Sequence, residues 1–104
     1  MKLIFDENVP LPLGKFFPNH ILSTVQKEGW AGVDNGEIME LVDGHFDVFI
    51  LADKNLRYQQ NLSSRSIAMV ELPTNRWPVL ESIAKKVVAA VDQSKPGGYT
   101  IVAQ

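Results

Sequence analysis

The sequence predicts an α/β fold, one domain built on a mainly parallel sheet. Three observations carry this expectation. Short apolar runs alternate with segments of helical periodicity from end to end. One run, Val48-Phe49-Ile50-Leu51-Ala52, is apolar without interruption, as a strand covered on both faces must be. The 104 residues leave room for a single core, so residues 1–104 are read as one domain with right-handed crossovers.

The elements follow in chain order. Leu3-Ile4-Phe5 is a short strand that ends abruptly in Asp6-Glu7-Asn8. Leu13, Phe16 and Phe17 then recur at helical spacing until Pro18-Asn19 closes the segment. His20 to Val25 reads as a second strand, followed by a Gly29-Trp30-Ala31-Gly32 loop. Asp34 to Asp43 is helical, with Ile38, Leu41 and Val42 on one face and Gly44 as its stop. After the third strand, Val48 to Ala52, the connection from Lys54 to Ser66 is long and is predicted to carry one helical turn. Ile67 to Leu72 is the fourth strand. Pro78 suits the first turn of a helix reaching about Val91, with Leu80, Ile83, Ala84, Val87 and Val91 inward. Pro96-Gly97-Gly98 turns the chain into a last strand, Tyr99 to Val102.

Composition narrows the function classes. The chain has no cysteine, which excludes disulfides, thiolate metal sites and thiol nucleophiles. Asp6 and Glu7 interrupt the apolar start, so no secretory leader is expected, and no run approaches the ~20 residues of a membrane span. A soluble cytoplasmic protein is the expectation. The net charge of −2 hides an uneven distribution. Residues 1–53 hold nine acids and three bases (−6), whereas residues 54–104 hold seven bases and three acids (+4). That division suits a metal-dependent enzyme acting on a phosphodiester.

The chemistry is expected at the carboxyl ends of the strands, where strand order reverses. The first and third strands end in Phe5-Asp6-Glu7-Asn8 and Ala52-Asp53-Lys54-Asn55, each with an aspartate and, two residues on, an asparagine. With the order 2-1-3-4 these ends are neighbours. Converging carboxylates repel, and a divalent cation with oxygen preference, Mg²⁺ or Mn²⁺, is the usual remedy. Capping of the following turns is the plainer role for either aspartate alone. Glu37 is the third candidate carboxylate, although Asp34-Asn35-Gly36-Glu37 also fits a capping box. His20 and His45 read as exposed turn residues. Lys54, Arg57 and Tyr58, with Arg76 beside Trp77, are the groups suited to phosphates and unpaired bases. Trp77 itself reads as an anchor to the core.

Four segments in series, "MKLIFDENVP", "GWAGVDNGEIMEL", "VFILADKNLRYQQNL" and "LPTNRWP", resemble the short bacterial PIN-like proteins of the Mut7-C-related group, often proposed as toxins of type II toxin–antitoxin pairs. The resemblance covers nearly the whole chain. It implies a PIN-like fold, a mainly parallel β-sheet flanked by helices on both faces, with acids at the strand ends that bind Mg²⁺ or Mn²⁺ and cut single-stranded RNA. By position, Asp6 matches the aspartate ending the first PIN strand, Glu37 the acid opening a helix, and Asp53 the acid of the T-x-D motif. Here that motif reads Leu51-Ala52-Asp53, without its threonine. Classical PIN domains also carry an acid on a helix that this shorter chain lacks.

The resulting expectation is a metal-dependent ribonuclease. Asp6, Glu37 and Asp53 are its catalytic, cation-holding acids, Glu7 a further ligand or a group that orients one, and Asn8 and Asn55 their supports. RNA, a small antitoxin protein and a second copy of the chain are the expected partners. Two rivals are weighed. One is a PIN-like binding module without activity. The other is a response-regulator receiver, which would use the same acids with Thr74 but needs a lysine ending the fifth strand, where this chain has Val102-Ala103-Gln104.

Overall fold

A computed structural model of the chain describes residues 1–52 and 65–104. Five strands form one sheet: β1 (Lys2–Phe5), β2 (Ile21–Thr24), β3 (Val48–Leu51), β4 (Ala68–Glu71) and β5 (Tyr99–Ile101), in the order β2-β1-β3-β4-β5. Every neighbouring pair is parallel. A 3-10 helix (Leu11–Phe16) joins β1 to β2, and helix α1 (Asn35–Val42) lies between β2 and β3. Helices α2 (Trp77–Ser82) and α3 (Ala84–Asp92) lie between β4 and β5. The one helical turn expected between β3 and β4 falls outside the described residues. Among the described residues no helix is long and apolar enough to cross a membrane.

Burial explains the strand sequences. All four residues of β3 and of β4 are buried, so the central strands tolerate almost nothing but apolar side chains. The edge strands β2 and β5 are only partly covered, and there Ser23, Thr24 and Thr100 appear. Alternate strand residues divide between two buried clusters. Leu3, Phe5, Val48, Ile50, Ala68 and Val70 pack with Leu80, Val87 and Val91 of α2 and α3. Ile4, Phe49, Leu51 and Met69 pack with Ile38, Met39 and Val42 of α1.

Helix α1 begins and ends where local chemistry dictates. The Asp34 carboxylate accepts the Glu37 N–H at 3.0 Å, satisfying one of the free donors of the first turn. At the other end Gly44, with φ of 82°, turns the chain out of the helix in a conformation that costs glycine little. The long helix expected after Pro78 is instead two. Ile83, at φ −113° and ψ 17°, leaves the helical region and separates α2 from α3. The apolar pattern runs straight through this break because Ile83 still packs against the core. The two sides of the bend therefore share one buried face, and periodicity alone does not reveal it.

Asp43, the residue after α1, fastens the entry to β4. Its Oδ1 accepts the Ser66 N–H at 2.9 Å, the Ser66 hydroxyl at 3.0 Å and the Ile67 N–H at 2.9 Å. Burial by itself would raise this carboxyl. The hydrogen bonds from Ile67 and Ser66, with the Arg65 guanidinium, outweigh it and hold the group below its ordinary value. A carboxyl lowered in the folded state stabilises above its unfolded pKa, ~3.9, and loses that contribution as pH falls through the lower folded value. Asp43→Ala should therefore cost about 1–3 kcal/mol at neutral pH by urea denaturation. Asp43→Asn should cost less, and its deficit relative to wild type should shrink as pH falls from about 5 towards 3.

Candidate acidic site at the strand ends

Strand order reverses between β1 and β3. From β1 the chain passes outward to β2, then returns to β3 on the other side of β1. The carboxyl ends of β1 and β3 are therefore neighbours, with Phe5 paired to Ile50. Asp6 extends this ladder by one bond, its N–H donating to the Ile50 carbonyl at 2.9 Å. Asp6 is half-buried, and its Oδ1 accepts the Glu7 N–H at 2.9 Å. Its carbonyl accepts the Val9 N–H at 3.1 Å, closing a turn that leaves Glu7 and Asn8 exposed.

Glu7 reaches across to the loop between β2 and α1. Its Oε1 accepts the Gly32 N–H at 3.0 Å, and its carbonyl accepts from Gln26 Nε2 at 3.1 Å. Glu37 is exposed in the first turn of α1. Because α1 follows β2, that turn stands towards the carboxyl edge of the sheet. The capping contact to Asp34 uses the Glu37 backbone, so its carboxylate is not consumed by that bond. Arg76 is exposed immediately before α2, beyond the carboxyl end of β4, its N–H donating to Thr74 Oγ1 at 3.2 Å. Asp53, Lys54, Asn55, Arg57 and Tyr58 lie outside the described residues. Among the described residues no three acids or histidines converge closely enough to hold a metal ion.

Sequence reasoning missed the most buried acid at this edge. Glu71 ends β4 with only 1% of its surface exposed, paired in register with Leu51 of β3 and Ile101 of β5. The Tyr99 hydroxyl donates to its Oε1 at 2.8 Å. The signal was a lone carboxylate inside the apolar run Ile67-Ala68-Met69-Val70-Glu71-Leu72, since a buried charge survives only with partners. His20 also differs from expectation. Its side chain is 17% exposed, with Nε2 3.5 Å from Asp92 Oδ1 and Nδ1 3.3 Å from the Met1 amino group, so it joins the start of β2 to the end of α3. His45 is exposed, as expected. Trp77 is half-buried against the core, 6.3 Å from Phe16 between ring centroids.

A groove of about 530 Å³ opens at the opposite, amino-terminal edge of the strands, lined by Lys2, His45, Asp47, Ser66 and Lys95 among others. Its size does not make it the site. Asp47 Oδ2 accepts the Lys2 N–H at 2.7 Å, and Ser66 is held by Asp43, so polar groups there fasten the sheet together.

Comparison with protein-family models, with curated proteins and with solved structures finds no match for this chain. The buried pair has its own consequence. Tyr99→Phe removes a donor from a carboxylate that water scarcely reaches, and should cost about 1–3 kcal/mol in urea denaturation.

Proposed function

We propose that the chain is a PIN-like, metal-dependent ribonuclease that cuts single-stranded RNA, acting as the toxin of a type II toxin–antitoxin pair. The observation that carries this reading is the switch point. Asp6 follows β1 directly, the carboxyl end of β3 lies beside it, and Asp53 is two residues beyond Leu51 in sequence. The division of the core into two clusters, one with α1 and one with α2 and α3, is the division that helices on both faces of the sheet would produce.

Asp6, Glu37 and Asp53 offer carboxylate oxygens only, a donor set that suits Mg²⁺ or Mn²⁺. A cation bound there would activate water and neutralise charge on the scissile phosphate. The chain's own part is to hold these acids in place. The β1–β3 ladder fixes Asp6 through its N–H, and the Asp34 cap fixes the turn that carries Glu37. Arg76, with Lys54, Arg57 and Tyr58, would take the phosphates and bases of the RNA. Asn8 and Asn55 would support the acids. A small antitoxin protein covering the acidic edge is the proposed partner, and the reading admits a homodimer.

One observation favours a second reading. The order β2-β1-β3-β4-β5 is also that of the flavodoxin-like folds, receivers included. Against it, Val102, Ala103 and Gln104 follow β5 where a receiver needs lysine.

The deciding experiment measures cleavage of unstructured RNA with and without Mn²⁺. Asp6→Asn and Asp53→Asn should each lose Mn²⁺-dependent cleavage by a factor of about 100 or more, consistent with loss of a cation's contribution of several kcal/mol. Both should melt no lower than wild type in EDTA; Asn at position 6 can still accept the Glu7 N–H. Wild type should gain on the order of 2.7 kcal/mol at a hundredfold excess of Mn²⁺ over Kd. Stabilisation by Mn²⁺ without cleavage would leave a binding module. Cleavage surviving in both variants would make the two aspartates caps.

A further inference from the structure

We propose that Glu7 is a positioning residue that sets the spacing between Asp6 and Glu37, and is not itself a ligand of the cation. What is positioned rests on the function proposed above, whereas the strut itself is a matter of geometry. The Glu7 N–H donates to Asp6 Oδ1 at 2.9 Å, fixing which way the Asp6 carboxylate turns. On its other side Glu7 holds the β2–α1 loop at two points, Gly32 through Oε1 at 3.0 Å and Gln26 through its carbonyl at 3.1 Å. The loop has little freedom left between these points. Gly29 donates to the Gln26 carbonyl at 3.1 Å, Trp30 to Val25 at 2.9 Å and Val33 to Trp30 at 3.1 Å. Gly32 adopts φ of 82°, which lets its N–H meet Glu7 without the strain that a Cβ would bring. Two residues later comes Asp34, whose side chain caps α1 and fixes the turn carrying Glu37. One residue thus links the acid that follows β1 to the helix start that delivers the second acid.

A strut and a ligand make different demands on the side chain. Accepting the Gly32 N–H needs an oxygen at the right distance, which a glutamine amide supplies as well as a carboxylate. Binding a hard cation depends on the negative charge, which glutamine lacks. Glu7→Gln therefore separates the roles, and Glu7→Ala removes the charge and the side-chain bond to Gly32 while keeping the two main-chain bonds to Asp6 and Gln26. The experiment compares the two variants with wild type on the full chain. Mn²⁺ affinity is read by calorimetry, and the Gly32 and Glu37 amide signals and Gly32 hydrogen exchange are read by NMR without metal. Glu7→Ala should speed Gly32 exchange, move the Glu37 amide and weaken Mn²⁺ by about 10–100-fold, the usual loss when a support behind a ligand is removed. Glu7→Gln should restore all three readouts to near wild type. Mn²⁺ binding lost as fully in Glu7→Gln as in Glu7→Ala, with Gly32 exchange unchanged in Glu7→Gln, would make Glu7 a ligand and overturn the proposal. So would Gly32 exchange that Glu7→Ala leaves unchanged. A wild type that binds no Mn²⁺ would refute the cation reading, and the metal-free signals would still decide the strut.

Discussion

The structure depends on β1 being paired in parallel on both sides. Its backbone is committed to β2 through the Lys2–Ile21 to Phe5–Thr24 register and to β3 through Leu3–Val48 to Phe5–Ile50. A parallel neighbour can be reached only by a connection that returns the chain to the starting edge. With β2 on one side and β3 on the other, strand order reverses at β1, the position where open α/β sheets carry their sites. Asp6 stands at this point as the first residue past the β1 ladder, and the Ile50 carbonyl still fixes its backbone.

Acids near the sheet do three different jobs, and their partners tell them apart. Asp43 spends one oxygen on three donors from residues 66 and 67, which makes it a structural fastening between α1 and β4. Glu71 is enclosed and held by Tyr99, so its carboxylate belongs to the interior of the β4–β5 pair. Glu7 and Asp34 each accept a backbone N–H, from the β2–α1 loop and from the first turn of α1. Asp6 and Glu37 stand between these in kind. One is half-buried at the switch point, its carboxylate accepting the Glu7 N–H, and the other is exposed on the first turn of a helix, its N–H held by the Asp34 carboxylate.

Legibility in the sequence followed the strength of the local signal. The central strands were readable because strands covered on both faces must be apolar, as Val48 to Leu51 is throughout. The α1 boundaries were readable because Asp34 and Gly44 are conformational signals in their own right. The break at Ile83 was not, since an apolar residue at a helix break packs like one within a helix. Asp6 and Glu37 were legible as a pattern of strand end and helix start. Glu71 was not, because its meaning lies in Tyr99, 28 residues away in sequence. His20 was misread for the same reason: its partner Asp92 lies on α3, and only the fold brings them together.

The two edges of the sheet show why concavity is a poor guide in a fold of this kind. At the amino edge the chain enters β1, β3 and β4, and its groups close on one another. Lys2 and Asp47 exchange two bonds of 2.7 Å, the Lys2 N–H to the Asp47 carboxylate and the Asp47 N–H to the Lys2 carbonyl. Asp43 takes up the donors of residues 66 and 67 beside them. A ligand seated in that groove would have to compete with bonds that keep the strands in register. At the carboxyl edge the Glu7–Gly32 contact and the Asp34 cap engage backbone donors through side chains on the rim, leaving the backbone ladders beneath untouched. Charge brought to that edge can therefore be rearranged at the cost of loops, whereas at the amino edge it would be rearranged at the cost of the sheet. This asymmetry is a property of parallel strands entered by structure and left by turns, and it favours the carboxyl edge for chemistry whatever the cavity volumes.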